Sequence, residues 1–134
     1  MDARKALHIL LVEDETSTAK VLARLLREDG FHVEVAGDGA VAIGRLSRPP
    51  LPDVLISDVR LPHADGLAVA RYARSLDPAM PIILTTSYQQ QALAERTMSP
   101  PPAVLAKPYD YQRLAAEIER LVYTVAREDR RDEG

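Results

Sequence analysis

Leu7-His8-Ile9-Leu10-Leu11-Val12-Glu13-Asp14-Glu15 sets the pattern for the whole chain. Its nearly continuous apolar run fits a strand of a parallel sheet covered on both faces, and acids follow where the strand gives way to a loop. The same alternation of short apolar run and longer amphipathic segment recurs along the chain. From Thr16 to Arg27 the residues Ala19, Val21, Leu22, Leu25 and Leu26 return at helical spacing, and Gly30 stops the pattern. His32 to Ala36 reads as a second strand. Asp38 reads as the N-cap of a helix carrying Val41, Ile43 and Leu46.

Arg48-Pro-Pro-Leu-Pro52 cannot continue that helix and is a loop. Val54 to Ser57 is the third strand, and Asp65 caps a helix bearing Leu67, Val69, Ala70 and Ala73. Pro81 introduces a fourth strand, Ile82 to Thr85. A weaker helix from about Gln89 to Met98 is stopped by Pro100, Pro101 and Pro102. Ala103 to Ala106 is the fifth strand, and Leu114, Ile118, Leu121 and Val125 mark a final helix. Strands alternating with helices imply right-handed crossovers, hence an α/β fold with helices on both faces of a parallel sheet. For five strands the favoured arrangement is the flavodoxin-like (βα)5 three-layer sandwich with strand order 2-1-3-4-5. The expected division is one domain over 1–126 and a fraying charged tail over 127–134.

Composition sets the limits on function. The 134 residues suit one domain with one core, and 46% hydrophobic with 28% charged residues is an ordinary globular balance. The net charge of -3 offers no basic surplus for direct nucleic-acid binding. With no cysteine, disulfides, thiolate metal sites and thiol catalysis are excluded. No apolar stretch approaches the roughly 18 residues of a membrane span, and the N-terminus lacks the pattern of a secretory signal. The expected compartment is the cytoplasm, with no membrane partner.

The polar residues converge. Glu13 and Asp14 follow the first strand, Asp58 the third, Thr85 to Ser87 the fourth and Lys107 the fifth. Ligands of open parallel sheets bind at the carboxyl ends of the strands, near the switch point of the topology. In the order 2-1-3-4-5, Asp58 lies between the acidic pair and the hydroxyls, with Lys107 two strands away. Three crowded carboxylates repel one another unless a cation compensates, and magnesium suits such oxygen ligands together with a phosphate. Asp is also a competent nucleophile for a covalent acyl phosphate. Alone, each residue has a plainer reading: solvated acids at a helix start, a turn cap, a surface lysine, β-branched strand residues. Together in order they point to a phosphoryl site.

Val12-Glu-Asp-Glu15, Asp58-Val-Arg-Leu-Pro-His-Ala-Asp-Gly66, Pro81-Ile-Ile-Leu-Thr-Thr86 and Lys107-Pro108 resemble the receiver domain of two-component response regulators, from about Leu7 to Ala126. The resemblance implies that Asp58 accepts a phosphoryl group from the phosphohistidine of a histidine kinase or a histidine phosphotransfer protein. It implies Mg2+ bound by Asp14, Asp58 and the backbone carbonyl of Arg60, with Glu13 acting through water. Lys107 would pair with phosphoryl oxygens, Thr86 would be the switch hydroxyl, and the Lys107-Pro108 peptide would be cis. The readout would be the surface of the fourth helix, fifth strand and final helix, acting on a downstream protein or output domain. A homodimer formed on phosphorylation is also compatible. The only reaction implied is phosphorylation and dephosphorylation of the chain's own aspartate, so it is not a classical enzyme.

Three departures from the family pattern stand out. Val104 replaces an aromatic residue three positions before the lysine, Ser99-Pro-Pro-Pro102 replaces a common Gly-Ala, and Ser87 replaces Ala or Gly. The first two predict atypical output. Beside Ser87, bulky Arg60 and Tyr88 predict slow hydrolysis of the acyl phosphate. The competing reading is a pseudo-receiver, a scaffold that keeps the fold for protein interaction without regulated phosphorylation. A haloacid-dehalogenase-type phosphatase would need a second Asp two residues beyond Asp14, where Thr16 stands. A flavodoxin would need a glycine-bearing phosphate loop instead of Glu13 to Thr18. His8 and His63 have no acid or base partner fixed by spacing and read as structural or solvent-facing. Tyr109 and Tyr111 read as half-buried packing groups. Both a stand-alone regulator and a piece of a longer regulator or hybrid kinase fit the sequence.

Overall fold

Apolar runs too short for helices and rich in β-branched residues form the strands: β1 (His8–Val12), β2 (His32–Ala36), β3 (Val54–Asp58), β4 (Ile82–Ser87) and β5 (Ala103–Lys107). All neighbours pair in parallel, in the order β2-β1-β3-β4-β5. The expected topology is thus the observed one. A computed structural model describes residues 7–87 and 98–133, with side chains of the final helix described as far as Tyr123. The helix expected over Gln89 to about Met98, together with Tyr88 and the side chain of Val125, lies outside the described residues.

Four helices are described: α1 (Thr16–Glu28), α2 (Gly39–Leu46), α3 (Gly66–Leu76) and α4 (Tyr111–Glu133). Strand alternation splits the core in two. On one face Leu10, Val12, Leu55, Ile82 and Leu84 pack against Ala42 and Leu46 of α2 and Val69, Ala70 and Ala73 of α3. On the other, Ile9, Leu11, Ile56 and Ile83 pack against Ala23 and Leu26 of α1 and Leu114 and Ile118 of α4. The sheet is therefore the middle layer of three.

The helix ends follow local chemistry. Asp38 Oδ1 accepts from the Val41 amide, and Asp65 Oδ1 accepts from the Ala68 amide, both at 2.8 Å, so each expected N-cap is in place. Gly30, with φ of 100°, closes α1 in a backbone conformation that costs glycine little.

Two expectations are corrected. Val21 and Val41 are exposed, and the buried positions beside them are Ala23 and Ala42. At about 100° per residue, Val21 stands two positions from both Ala19 and Ala23 and so points away from their face. The charged segment from Glu128 continues α4 as far as Glu133, since neither proline nor glycine interrupts it before Gly134.

Candidate functional site

Two backbone bonds past the strand ends register the site. The Glu13 amide donates to Ala36 O at 3.1 Å, and the Val59 amide donates to Thr85 O at 2.9 Å. The ladders of β1 and β3 thus continue through Glu13 and beyond Asp58, so these two acids stand on ordered backbone at the carboxyl edge of the sheet. Asp58 is only 8% exposed and Glu13 is 6% exposed, whereas Asp14 is on the surface. Each of the three acids offers a carboxylate oxygen, and these oxygens lie within 4.8 Å of one another.

Lys107 closes the constellation from the end of β5. Its Nζ donates to Asp58 Oδ2 at 2.6 Å, spanning the two-strand gap with its long stem. The other Asp58 oxygen, Oδ1, accepts from the Arg60 amide at 3.2 Å. The Lys107–Pro108 peptide is cis. Asp58, Arg60, Thr86, Ser87 and Lys107 line one open cavity of about 360 Å³. Thr85 and Thr86 are both buried, but Thr86, with Asp58, lines that cavity. Arg60 reaches it as an exposed side chain.

The electrostatics record the crowding. Burial pushes the Glu13 carboxyl up to about 7; Lys107 opposes the rise, while the charge of Asp58, a hydrogen bond to Asp58 and the charge of Asp14 add to it. For Lys107, burial favours the neutral amine, but the hydrogen bond and charge of Asp58, helped by Glu13 and Tyr109, outweigh it and hold the pKa above the ordinary lysine value. Burial raises the Tyr109 hydroxyl, against the pull of Lys107. Three acids and one lysine leave a net negative pocket of oxygen donors. That donor set fits a hard divalent ion such as Mg2+.

Two glycines that spacing arguments passed over shape the loop after β3. A Cβ on Gly66 would stand 2.0 Å from Asp58 O, and one on Gly39 would stand 2.0 Å from Ala64 O. Their amides donate into the same loop, Gly66 to Val59 O at 2.7 Å and Gly39 to Pro62 O at 3.2 Å. The loop after β3 is therefore clamped by the starts of α2 and α3. Gly66 closes a motif quoted from the sequence, but its role is visible only from the backbone approach.

Comparison with known proteins decides the family. The model of the response regulator receiver domain matches residues 9–119. The chain belongs to the response regulator receiver domain family. This receiver domain is 35% identical over 115 residues to the response regulator receiver protein CpdR of Brucella abortus (strain 2308), covering 85% of this chain and 95% of that protein. A crystal structure of a response regulator receiver protein from Sinorhizobium medicae WSM419 superposes with a TM-score of 0.81 at 30% identity, covering 89% of this chain and 96% of the other. Response regulator TrrA from Thermotoga maritima, solved in complex with Mg(2+)-BeF, superposes with a TM-score of 0.76 at 25% identity, covering 87% of this chain and 98% of that one. Other matched regulators are longer: the chain spans 25% of one transcriptional regulatory protein. No helix among the described residues is long and apolar enough to cross a membrane.

Proposed function

We propose that this receiver domain is a phosphorylation switch in which Asp58 accepts a phosphoryl group from the phosphohistidine of a histidine kinase or histidine phosphotransfer protein. The observation that carries the reading is the Lys107–Asp58 contact at 2.6 Å inside a cluster of three carboxylates. One Asp58 oxygen attacks phosphorus as the phosphorus–nitrogen bond breaks, and the imidazole leaves with a proton from solvent. Hydrolysis then returns the carboxylate and inorganic phosphate. Lys107 transfers its attraction from the carboxylate to the phosphoryl oxygens, and the Thr86 hydroxyl bonds the new group. Glu13, Asp14, Asp58 and the Arg60 carbonyl are the groups that would hold Mg2+, which when bound neutralises charge on the transferring phosphoryl group. The TrrA complex with Mg(2+)-BeF, in a protein of the same fold, supports that assignment.

On this reading the chain acts on its own aspartate and is not a classical enzyme, works in the cytoplasm, and signals through the surface around β5 and α4 to a downstream protein or output domain. Arg60, exposed at the cavity mouth, shields the acyl phosphate from water. The test is intact-mass analysis after incubation with acetyl phosphate and Mg2+. A gain of one phosphoryl group, absent with EDTA and in Asp58→Asn, is expected, together with faster loss of that group in Arg60→Ala. No gain in folded wild-type protein would instead favour an interaction scaffold.

A further inference from the structure

A second constellation lies at the opposite, amino-terminal edge of the sheet. His8 opens β1 and His32 opens β2, and the two are direct partners in the parallel register. Their rings stack with centroids 4.8 Å apart and planes inclined by 16°. Both are exposed, although their backbones are held: the His8 amide donates to Asp53 Oδ2 at 2.8 Å and the His32 amide donates to Leu7 O at 3.0 Å. Two imidazoles are thus presented side by side from rigid strands with their edges open to solvent. Glu34, two residues along β2 on the same face, keeps a carboxylate beside the pair, held by Arg45 at 2.6 Å.

The geometry points to a surface bis-imidazole site for a borderline divalent transition-metal ion such as Zn2+, separate from the acidic cluster around Asp58. Imidazole nitrogens suit zinc, copper and nickel, whereas the carboxylate oxygens at the other edge suit magnesium. Two Zn–N bonds of about 2.0–2.1 Å meeting at a tetrahedral angle place the nitrogens about 3.3 Å apart. Near-parallel rings cannot both direct an in-plane nitrogen at one ion, so binding turns the two exposed side chains out of the stack, about χ1 and χ2, until their nitrogens converge. Water completes the coordination. Bound metal would staple β1 to β2 at the edge of the sheet and add to folded-state stability by mass action.

The chain has three histidines, so the assignment is directly testable. Zn2+ is titrated calorimetrically into tag-free protein with Mg2+ in excess, for wild type, His8→Asn, His32→Asn, His63→Asn and Asp58→Asn. One Zn2+ per chain is expected in wild type, weakened about tenfold or more in His8→Asn and His32→Asn because each loses one of two protein ligands. His63→Asn and Asp58→Asn should retain wild-type affinity. In parallel, the ring nitrogens of His8 and His32 in wild type should shift together by NMR on adding Zn2+, a readout independent of any variant's folding. Absence of Zn2+ binding, binding abolished by Asp58→Asn or His63→Asn, or unmoved His8 and His32 signals would overturn the proposal.

Discussion

Asp58 Oδ2 is where one lysine and any bound cation compete, and this competition makes Lys107 testable in two directions. Removing the amine in Lys107→Met takes a positive charge from the cluster, so Mg2+ affinity, followed by a fluorescent or calorimetric titration, should rise. The rate of phosphorylation by acetyl phosphate should nevertheless fall, by about 100-fold, as expected when a preorganised charge partner of the transition state is lost. Glu13 provides a pH signature. Its folded pKa of about 7 lies above the ordinary glutamate value of 4.5, so between those pH values the metal-free native state holds a proton that the unfolded chain releases. Relative to the ionised form, this contribution is fully present below about 4.5 and is lost as pH rises through about 7. Urea midpoints measured in EDTA should therefore fall between pH 5 and pH 8, by a free energy on the order of 3 kcal/mol at most. Glu13→Gln should flatten that slope, and Mg2+ should reverse it by displacing the proton. The site residues themselves were legible in the sequence, because carboxyl ends of parallel strands gather whatever polar groups follow them. The size of the upward shift at Glu13 was not, since its largest cause is how deeply the fold buries a residue that looks like a surface acid.

At the scale of elements, the loop after β3 is held by the close approach of two helix starts. Gly66→Ala would drive a methyl group onto the Asp58 carbonyl, so the loop or α3 must move. Chemical denaturation should show a loss of more than about 2 kcal/mol, in the range of a forced backbone shift, and phosphorylation should slow with it. Gly44→Ala is the matching control. It lies within α2 with nothing within 4 Å of the new Cβ, and should stabilise the protein by about 0.5–1 kcal/mol through helix propensity alone. The elements were easier to read than their faces. β2 runs from His32 to Ala36 as expected, because its turn signals are sharp on both sides. Val21 and Val41 misled because hydrophobicity alone does not say which side of a helix meets the sheet. Ala23 and Ala42 do the packing instead, being small enough for close helix–sheet approach.

For the whole molecule, the question is how a charge at Asp58 reaches a partner. The expected switch is a hydrogen bond from Thr86 to the new phosphoryl group, contributing roughly 1.5–3 kcal/mol, enough to shift a two-state equilibrium roughly 10- to 150-fold without refolding the domain. In place of a rotating aromatic, Val104 packs partly buried against the core of the α2–α3 face, opposite Leu84 in the β4–β5 register. Arg74 adds a tether, donating to Met80 O at 2.9 Å and to Pro100 O at 2.7 Å, so the proline-rich segment before β5 is tied to α3. Both features favour a small rearrangement of β5. In beryllofluoride-activated protein the methyl signals of Val104 should stay close to their resting positions, and Thr86→Val should accept phosphate yet lose the shifts that activation causes along β5. A large aromatic-type rearrangement around Tyr109 would argue for ordinary coupling instead.

The expectations about phosphorylation and its output depend on Asp58 being the acceptor, and chemical trapping addresses that point most directly. Protein treated with acetyl phosphate and Mg2+ is reduced with borohydride, which converts a phosphorylated aspartate to homoserine, and its peptides are sequenced by mass spectrometry. Homoserine at position 58 alone, appearing only when Mg2+ is present, is the expected result. Modification at Asp14 or another residue, or none at all in folded protein, would contradict the account.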